Sequence, residues 1–242
     1  MLGQAPIAVA AAALYLNRIG VQRFSRPRKR FALPTSPPSV LPPEPEFGAG
    51  LPAPARSDAV LAFMALRRSA SAATLRAPAP SADELRDLLR LAVRVPDHGK
   101  LSPWRFVVLE GAAKAAFEAR VEQLAGEGPD PEKAKTAMFK LKIPPLAVVV
   151  VSRFIPGKIP EWEQRLSAGA VCISLVNAAQ AMGYGANWIT DWYAYDPRVD
   201  ALLGLVAGEQ VAGFVYLGTP SEAPQERVRS DVAAITRRWT PA

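Results

Sequence analysis

Three short stretches of this chain hold side chains whose types and spacing could do chemistry. Arg67-Arg68-Ser69 joins two guanidinium groups to a hydroxyl and to backbone donors. Guanidinium groups grip phosphate through forked, charge-assisted hydrogen bonds, and serine adds a neutral donor. Read without context, the triplet is first of all a basic helix end favoured by the helix dipole. The second stretch, Arg94 to Phe106, contains the only histidine of the chain, His98, directly after Pro96-Asp97 and one helical turn beyond Arg94. A lone loop histidine is more often a packing residue than a ligand, but this one lies among cations and backbone donors. The third, Gly183-Tyr184-Gly185-Ala186-Asn187-Trp188-Ile189-Thr190, has glycines that let backbone approach a flat ligand closely. A second basic cluster, Ile235-Thr236-Arg237-Arg238-Trp239, closes the chain.

The elements that must position these groups are readable from periodicity. Residues 58–66 read as a short helix capped by Ser57. Ser81-Ala82-Asp83-Glu84 is a capping box, in which serine and glutamate satisfy each other's free backbone donors. Leu85, Leu88, Leu89 and Ala92 follow at helical spacing, and Pro96 stops the pattern. Residues 104–109 read as a strand and 112–124 as a helix. The continuous apolar run 146–151 is expected of a central strand covered on both faces. Over 167–182, Ala168, Val171, Cys172, Leu175, Ala178, Ala179 and Met182 form one stripe of a long helix, ended by Gly183. Residues 188–190 and 211–217 read as further strands. Helices and strands without regular alternation favour an α+β layered fold over a doubly wound sheet.

Composition narrows the function classes. The chain has 242 residues, half of them hydrophobic, enough for a substantial core. One cysteine, Cys172, and one histidine exclude an internal disulfide and a cysteine- or histidine-rich metal site, so no metal is expected. Cys172 lies on the apolar helix stripe and reads as packing. The net charge is +7. Six basic residues against two acidic ones in residues 1–50 give +4, and 23 against 20 in the rest give +3. The basicity is thus concentrated in the tail, and a nucleic-acid role for residues 57–242 is disfavoured. Residues 1–56 read as an extension: an apolar run over 7–16 too short to span a bilayer, an Arg/Lys cluster over 26–30, then a proline-rich segment. A disordered or misassigned extension is the main reading, a targeting segment the second, and neither carries chemistry. No stable membrane association is expected. No Gly-x-Gly-x-x-Gly after a strand, no P-loop, no Gly-x-Ser-x-Gly elbow and no His-Glu-x-x-His motif is present.

Together, in this order and spacing, the three stretches resemble the nitroreductase family of FMN-dependent oxidoreductases, over about residues 58–220. The resemblance implies a mixed, mainly antiparallel central sheet flanked by helices in an intertwined cytoplasmic homodimer. It implies FMN, reduced by NADH or NADPH and reoxidised by a nitroaromatic, quinone or similar electron-poor acceptor, in ping-pong hydride transfer through flavin N5. Arg67, Arg68 and Ser69 match the residues that hold the phosphate and ribityl chain. Arg94 and His98 match further flavin contacts, and Trp188, Ile189 and Thr190 match the segment along the isoalloxazine ring. At the last two positions the compared relative has Arg-Ser, so an arginine is lost here. Ala178, Ala179, Gln180, Ala181, Met182 and Gly183 correspond to a nicotinamide-nucleotide stretch, although helix packing alone accounts for their size. A late arginine, Arg237 or Arg238, corresponds to a phosphate contact. No residue is expected to act as an essential acid or base, because the flavin carries the chemistry. The alternatives are a flavin-binding protein without useful turnover, serving storage or sensing, and a different flavin reaction on the same scaffold.

Overall fold

Five strands form one antiparallel sheet around the last of them. In the computed structural model, which describes residue 39 and residues 41–241, these are β1 (Leu75–Arg76), β2 (Trp104–Glu110), β3 (Leu146–Arg153), β4 (Gly185–Ile189) and β5 (Glu209–Pro220). β5 pairs with β3 from Glu209 to Leu217, with β4 from Phe214 to Gly218 and with β1 at Thr219 and Pro220. β2 completes the sheet by pairing with β3. All four pairings are antiparallel, as the mainly antiparallel expectation requires. The readings placed on residues 1–38 lie outside the described residues.

The helices are α1 (Asp58–Leu66), α2 (Ala82–Ala92), α3 (Gly111–Gly126), α4 (Pro131–Ala137), α5 (Phe139–Lys142), α6 (Glu161–Ala181) and α7 (Pro197–Leu202). They cover both faces of the sheet. β3 shows why: Ala147, Val149 and Val151 enter a core with Phe117, Val121, Leu141 and Val199, whereas Leu146, Val148 and Val150 enter one with Leu88, Val171, Cys172 and Leu175. A strand buried on both faces must be apolar at every position, and all six residues 146–151 are nearly inaccessible.

Local signals set most boundaries. Ser57 Oγ accepts from Val60 N at 3.4 Å to start α1. At α2 the capping box closes in both directions, Glu84 N to Ser81 Oγ at 3.3 Å and Ser81 N to Glu84 Oε2 at 2.8 Å. Ahead of α1, Ser39 Oγ donates to Asp87 Oδ2 at 2.6 Å and Glu44 pairs with Arg90 at 3.0 Å, so part of the proline-rich segment lies along α2.

Several elements differ from the sequence reading. α6 begins at Glu161, six residues before the apolar stripe, because its first turns carry Glu161, Trp162, Glu163 and Gln164 and show no small-residue period. β4 begins at Gly185 rather than 188. A Cβ on Gly185 would stand 2.6 Å from Leu75 Cδ2, so this glycine serves tight packing within the sheet. β5 extends beyond 211–217 in both directions. β1, α4, α5 and α7 were not anticipated. All are short, and α4 starts from an Asp130-Pro131 pair on a polar surface. Among the described residues no helix is long and apolar enough to cross a membrane, and no cluster of acidic, histidine or cysteine side chains could hold a metal ion.

Candidate functional site

The Arg67-Arg68-Ser69 triplet lies where α1 ends and the chain turns extended, Arg67 having φ −60° and ψ 141°. Gln180, near the end of α6, fastens it from one side. Its Oε1 accepts from Arg67 Nε at 3.1 Å, and its Nε2 donates to the carbonyl of Arg68 at 2.5 Å. β4 fastens it from the other. Ala70 N donates to Ala186 O at 3.1 Å, and Asn187 Nδ2 donates to the carbonyl of Ala70. Two rigid elements therefore hold a short half-buried turn with its guanidinium groups aimed at one place.

That place is a cleft of about 350 Å³ between the triplet, Ile173 of α6, and Asn187 and Trp188 of β4. Arg227 and Arg229, from the segment after β5, close it. Four arginines meet there with little opposing charge. Arg229 pairs with Glu226 at 2.9 Å, but among the described residues neither Arg67 nor Arg68 forms an ion pair. Arg68 Nη1 donates to the carbonyl of Ser69 at 3.3 Å, while its buried Nε has no hydrogen-bond partner. Burial, and then the charges of Arg229 and Arg68, push the Arg67 guanidinium below its usual range. A cation destabilised by desolvation and by like charge is a binding group for an anion. The unpaired Arg68 Nε and the surplus of positive charge fit a phosphate.

Trp188 forms one wall. Its Nε1 donates to Ala212 O at 3.2 Å, and the indole lies over Gly213, where a Cβ would stand 2.0 Å from Nε1. Ala212 is the extra residue of a bulge opposite Val150 and Val151. The next residue, Ile189, points to the other face of the sheet and packs against the core, and Thr190 Oγ1 accepts from Tyr195 Oη at 2.8 Å. Ile189 thus offers backbone rather than its side chain on the Trp188 side.

The histidine loop is built separately. Gly99, Lys100 and Ser102 all have positive φ, and the Asp97 carboxylate compensates by accepting from Leu101 N at 3.1 Å and Ser102 N at 2.8 Å. Ser167 of α6 ties down both ends of the loop, donating to Pro96 O at 2.7 Å and accepting from Trp104 Nε1 at 3.1 Å. His98 Nδ1 meets Glu163 Oε2 at 2.7 Å, and Arg94 is exposed. Neither Arg94 nor His98 lines the arginine cleft of its own chain, and Arg237 does not line it either.

Arg227 and Arg229 were not found from the sequence, nor were the clamping roles of Asn187 and Gln180. Arg227 and Arg229 lie in a segment without regular structure, where no periodicity marks them. Of the nicotinamide stretch, Ala178 and Ala179 are buried in α6. Cys172 is fully buried, and burial pushes its thiol up to about 12, which leaves it inert.

The model of the Nitroreductase family matches residues 65–219, from the end of α1 and the arginine triplet to the last residue but one of β5. The chain belongs to the nitroreductase family. It is 38% identical over 159 residues to the Escherichia coli (strain K12) protein named "Putative NAD(P)H nitroreductase YdjA", a match covering 64% of this chain and 84% of that one. Among solved structures it is similar to a nitroreductase-like family protein from Bacillus cereus, with a TM-score of 0.64 at 22% identity over 76% of this chain and 98% of the other. It is also similar to a nitroreductase with bound FMN from Bacteroides fragilis, with a TM-score of 0.59 at 19% identity over 75% and 99%. These likenesses show the nitroreductase fold, α+β with an antiparallel sheet between helices.

Proposed function

We propose that this chain is an FMN-dependent NAD(P)H oxidoreductase that reduces nitroaromatic, quinone or similar electron-poor acceptors. One observation carries the reading: Arg67 and Arg68 converge on a cleft without a carboxylate partner, and the Arg68 Nε is buried with no acceptor. The FMN bound to the Bacteroides fragilis structure and the NAD(P)H in the name of the Escherichia coli relative support it.

Arg67, Arg68 and Arg229 would hold the phosphate, Ser69 would add a hydroxyl, and Gln180 keeps the Arg67 guanidinium and the Arg68 backbone in place. Trp188, Ile189 and Thr190 line the flavin ring edge, mainly through backbone. FMN held there would supply the hydride-transfer chemistry that links a nicotinamide donor to the acceptor. The side chains bind, orient and exclude water, which accounts for a site without an acid–base pair.

A second copy of the chain completes the site, because Arg94 and His98 lie outside the cleft of their own chain. The apolar surface supports this. α1 buries no residue and exposes Val60, Leu61, Met64 and Leu66, and the segment after β5 exposes Val228, Val232, Ile235 and Trp239. Surfaces of this kind mark interfaces. We place the dimer in the cytoplasm, and the catalytic chemistry within residues 57–242.

The deciding experiment is a visible absorption spectrum of the purified protein, with chromatography of the species that heat releases. A flavin spectrum with FMN released is the expected result. A colourless protein that also fails to take up added FMN would overturn the reading.

A further inference from the structure

The Trp162-Glu163-Gln164 sequence at the start of α6 is unused by the phosphate cleft, yet two of its side chains are committed. Gln164 is buried and closes the preceding loop, accepting from Ile155 N at 2.9 Å and donating to Ile155 O at 3.0 Å and Ile159 O at 3.1 Å. This fixes the first turn of α6 against the 155–159 loop, and with it the position of Glu163. Glu163 then meets His98 Nδ1 at 2.7 Å across the surface. The histidine loop rests on the same helix: Ser167, one turn further on, holds Pro96 at 2.7 Å. Gly99 is pressed against the 155–159 loop as well, since a Cβ there would stand 3.2 Å from Ile159 Cγ1. Backbone and ring are thus held by the same short stretch of α6 and the loop before it.

The two ring nitrogens of a histidine are chemically distinct, and the partner of one decides what the other can do. Glu163 is a carboxylate, so Nδ1 must carry the proton that is shared. Nε2 is left without a partner among the described residues. We propose that Glu163 is a positioning residue: by accepting the Nδ1–H of His98 it fixes the ring plane and tautomer, so that His98 presents Nε2 to the flavin. The proposal rests on the reading of His98 as a flavin contact. It assigns Glu163 a part in cofactor binding beyond its place as an acidic residue in the first turn of its helix.

Because His98 is the only histidine, selective ¹⁵N-histidine labelling reads its ring directly in the FMN-loaded protein. The neutral ring of the wild type is expected as the Nδ1–H tautomer. Glu163→Ala should shift it toward Nε2–H and weaken FMN binding roughly fivefold, the order of one partly exposed charge-assisted hydrogen bond. Glu163→Gln, whose amide oxygen still accepts, should restore most of the tautomer preference and of the affinity. In a His98→Ala background Glu163→Ala should have no further effect, because a residue acting through His98 has nothing left to act on. An unchanged tautomer in Glu163→Ala, or an equal loss of affinity in the His98→Ala background, would overturn the positioning role alone. If His98→Ala changes neither FMN affinity nor turnover, the flavin-contact reading falls, and the role given to Glu163 falls with it.

Discussion

Two hollows in this chain are built from similar charged side chains. The arginine cleft has about 350 Å³, whereas a hollow of about 540 Å³ opens between α3, α4, α5 and Trp192. The larger one has apolar walls from Leu124, Ala134, Ala137, Phe139 and Trp192, and by size and lining it is the more usual ligand site. Its polar groups, however, largely satisfy one another. Lys140 pairs with Asp191 at 2.6 Å, Arg198 with Asp196 at 2.6 Å and with Glu127 at 3.2 Å, and Trp192 Nε1 donates to Ala134 O at 3.1 Å. Arg198 holds the Asp196 carboxyl below its usual range, the signature of a settled ion pair. In the cleft, Arg67 is instead depressed by burial and by other arginines. Volume alone ranks these hollows wrongly, and the unmet charge identifies the site.

The largest test of that contrast removes one cation from each hollow. Arg68→Ala should cost FMN affinity about 2–5 kcal/mol, as the loss of a desolvated charge partner does. Lys140→Ala should leave FMN affinity unchanged, because its charge is already spent on Asp191. Flavin fluorescence titration reads both, and equal losses in the two variants would erase the distinction. A smaller effect is expected one step back, at the clamp. Gln180→Ala removes the acceptor from Arg67 Nε and the donor to the Arg68 carbonyl, about 1–3 kcal/mol of bonding that here supports binding geometry. FMN affinity should fall with it. If only the KM for NADH or NADPH rises while FMN affinity holds, Gln180 is a nicotinamide contact and not a clamp.

Much of this was legible in the sequence, for identifiable reasons. β3 could be read because burial on two faces demands six apolar residues in succession, and α2 because its capping box is local. Arg67, Arg68 and Ser69 are contiguous, so a motif captures them. Asn187 and Gln180 were beyond reach as clamps because their partners are over 100 residues away in the chain. Arg227 and Arg229 could be found only through space, and the arginine singled out near the end, Arg237, lies outside the cleft. α4 and α7 are too short for their period to show.

The smallest effect falls on α2, whose first turn is hydrogen-bonded to the residue before the strand carrying the ring-edge segment. Glu84 Oε2 accepts from Ser81 N and also from Tyr184 Oη, the latter at 2.8 Å and just before β4. These bonds, the backbone bond to Ser81 first, hold the Glu84 carboxyl below its usual 4.5. A carboxylate whose folded value is depressed contributes stability that is present above its unfolded value and lost as pH falls through the folded one. The contribution should therefore be complete above about pH 5 and decline below pH 4.5. Ser81→Ala should lower stability at neutral pH by about 1 kcal/mol, typical of a lost cap. It should also flatten the acid limb of a denaturation series, since less of the Glu84 shift remains to be lost. FMN affinity should not change, because α2 touches neither hollow. A Ser81→Ala protein with an unaltered acid limb would show that the two bonds it keeps, from the residue 81 N–H and from Tyr184 Oη, set the Glu84 charge without the serine hydroxyl.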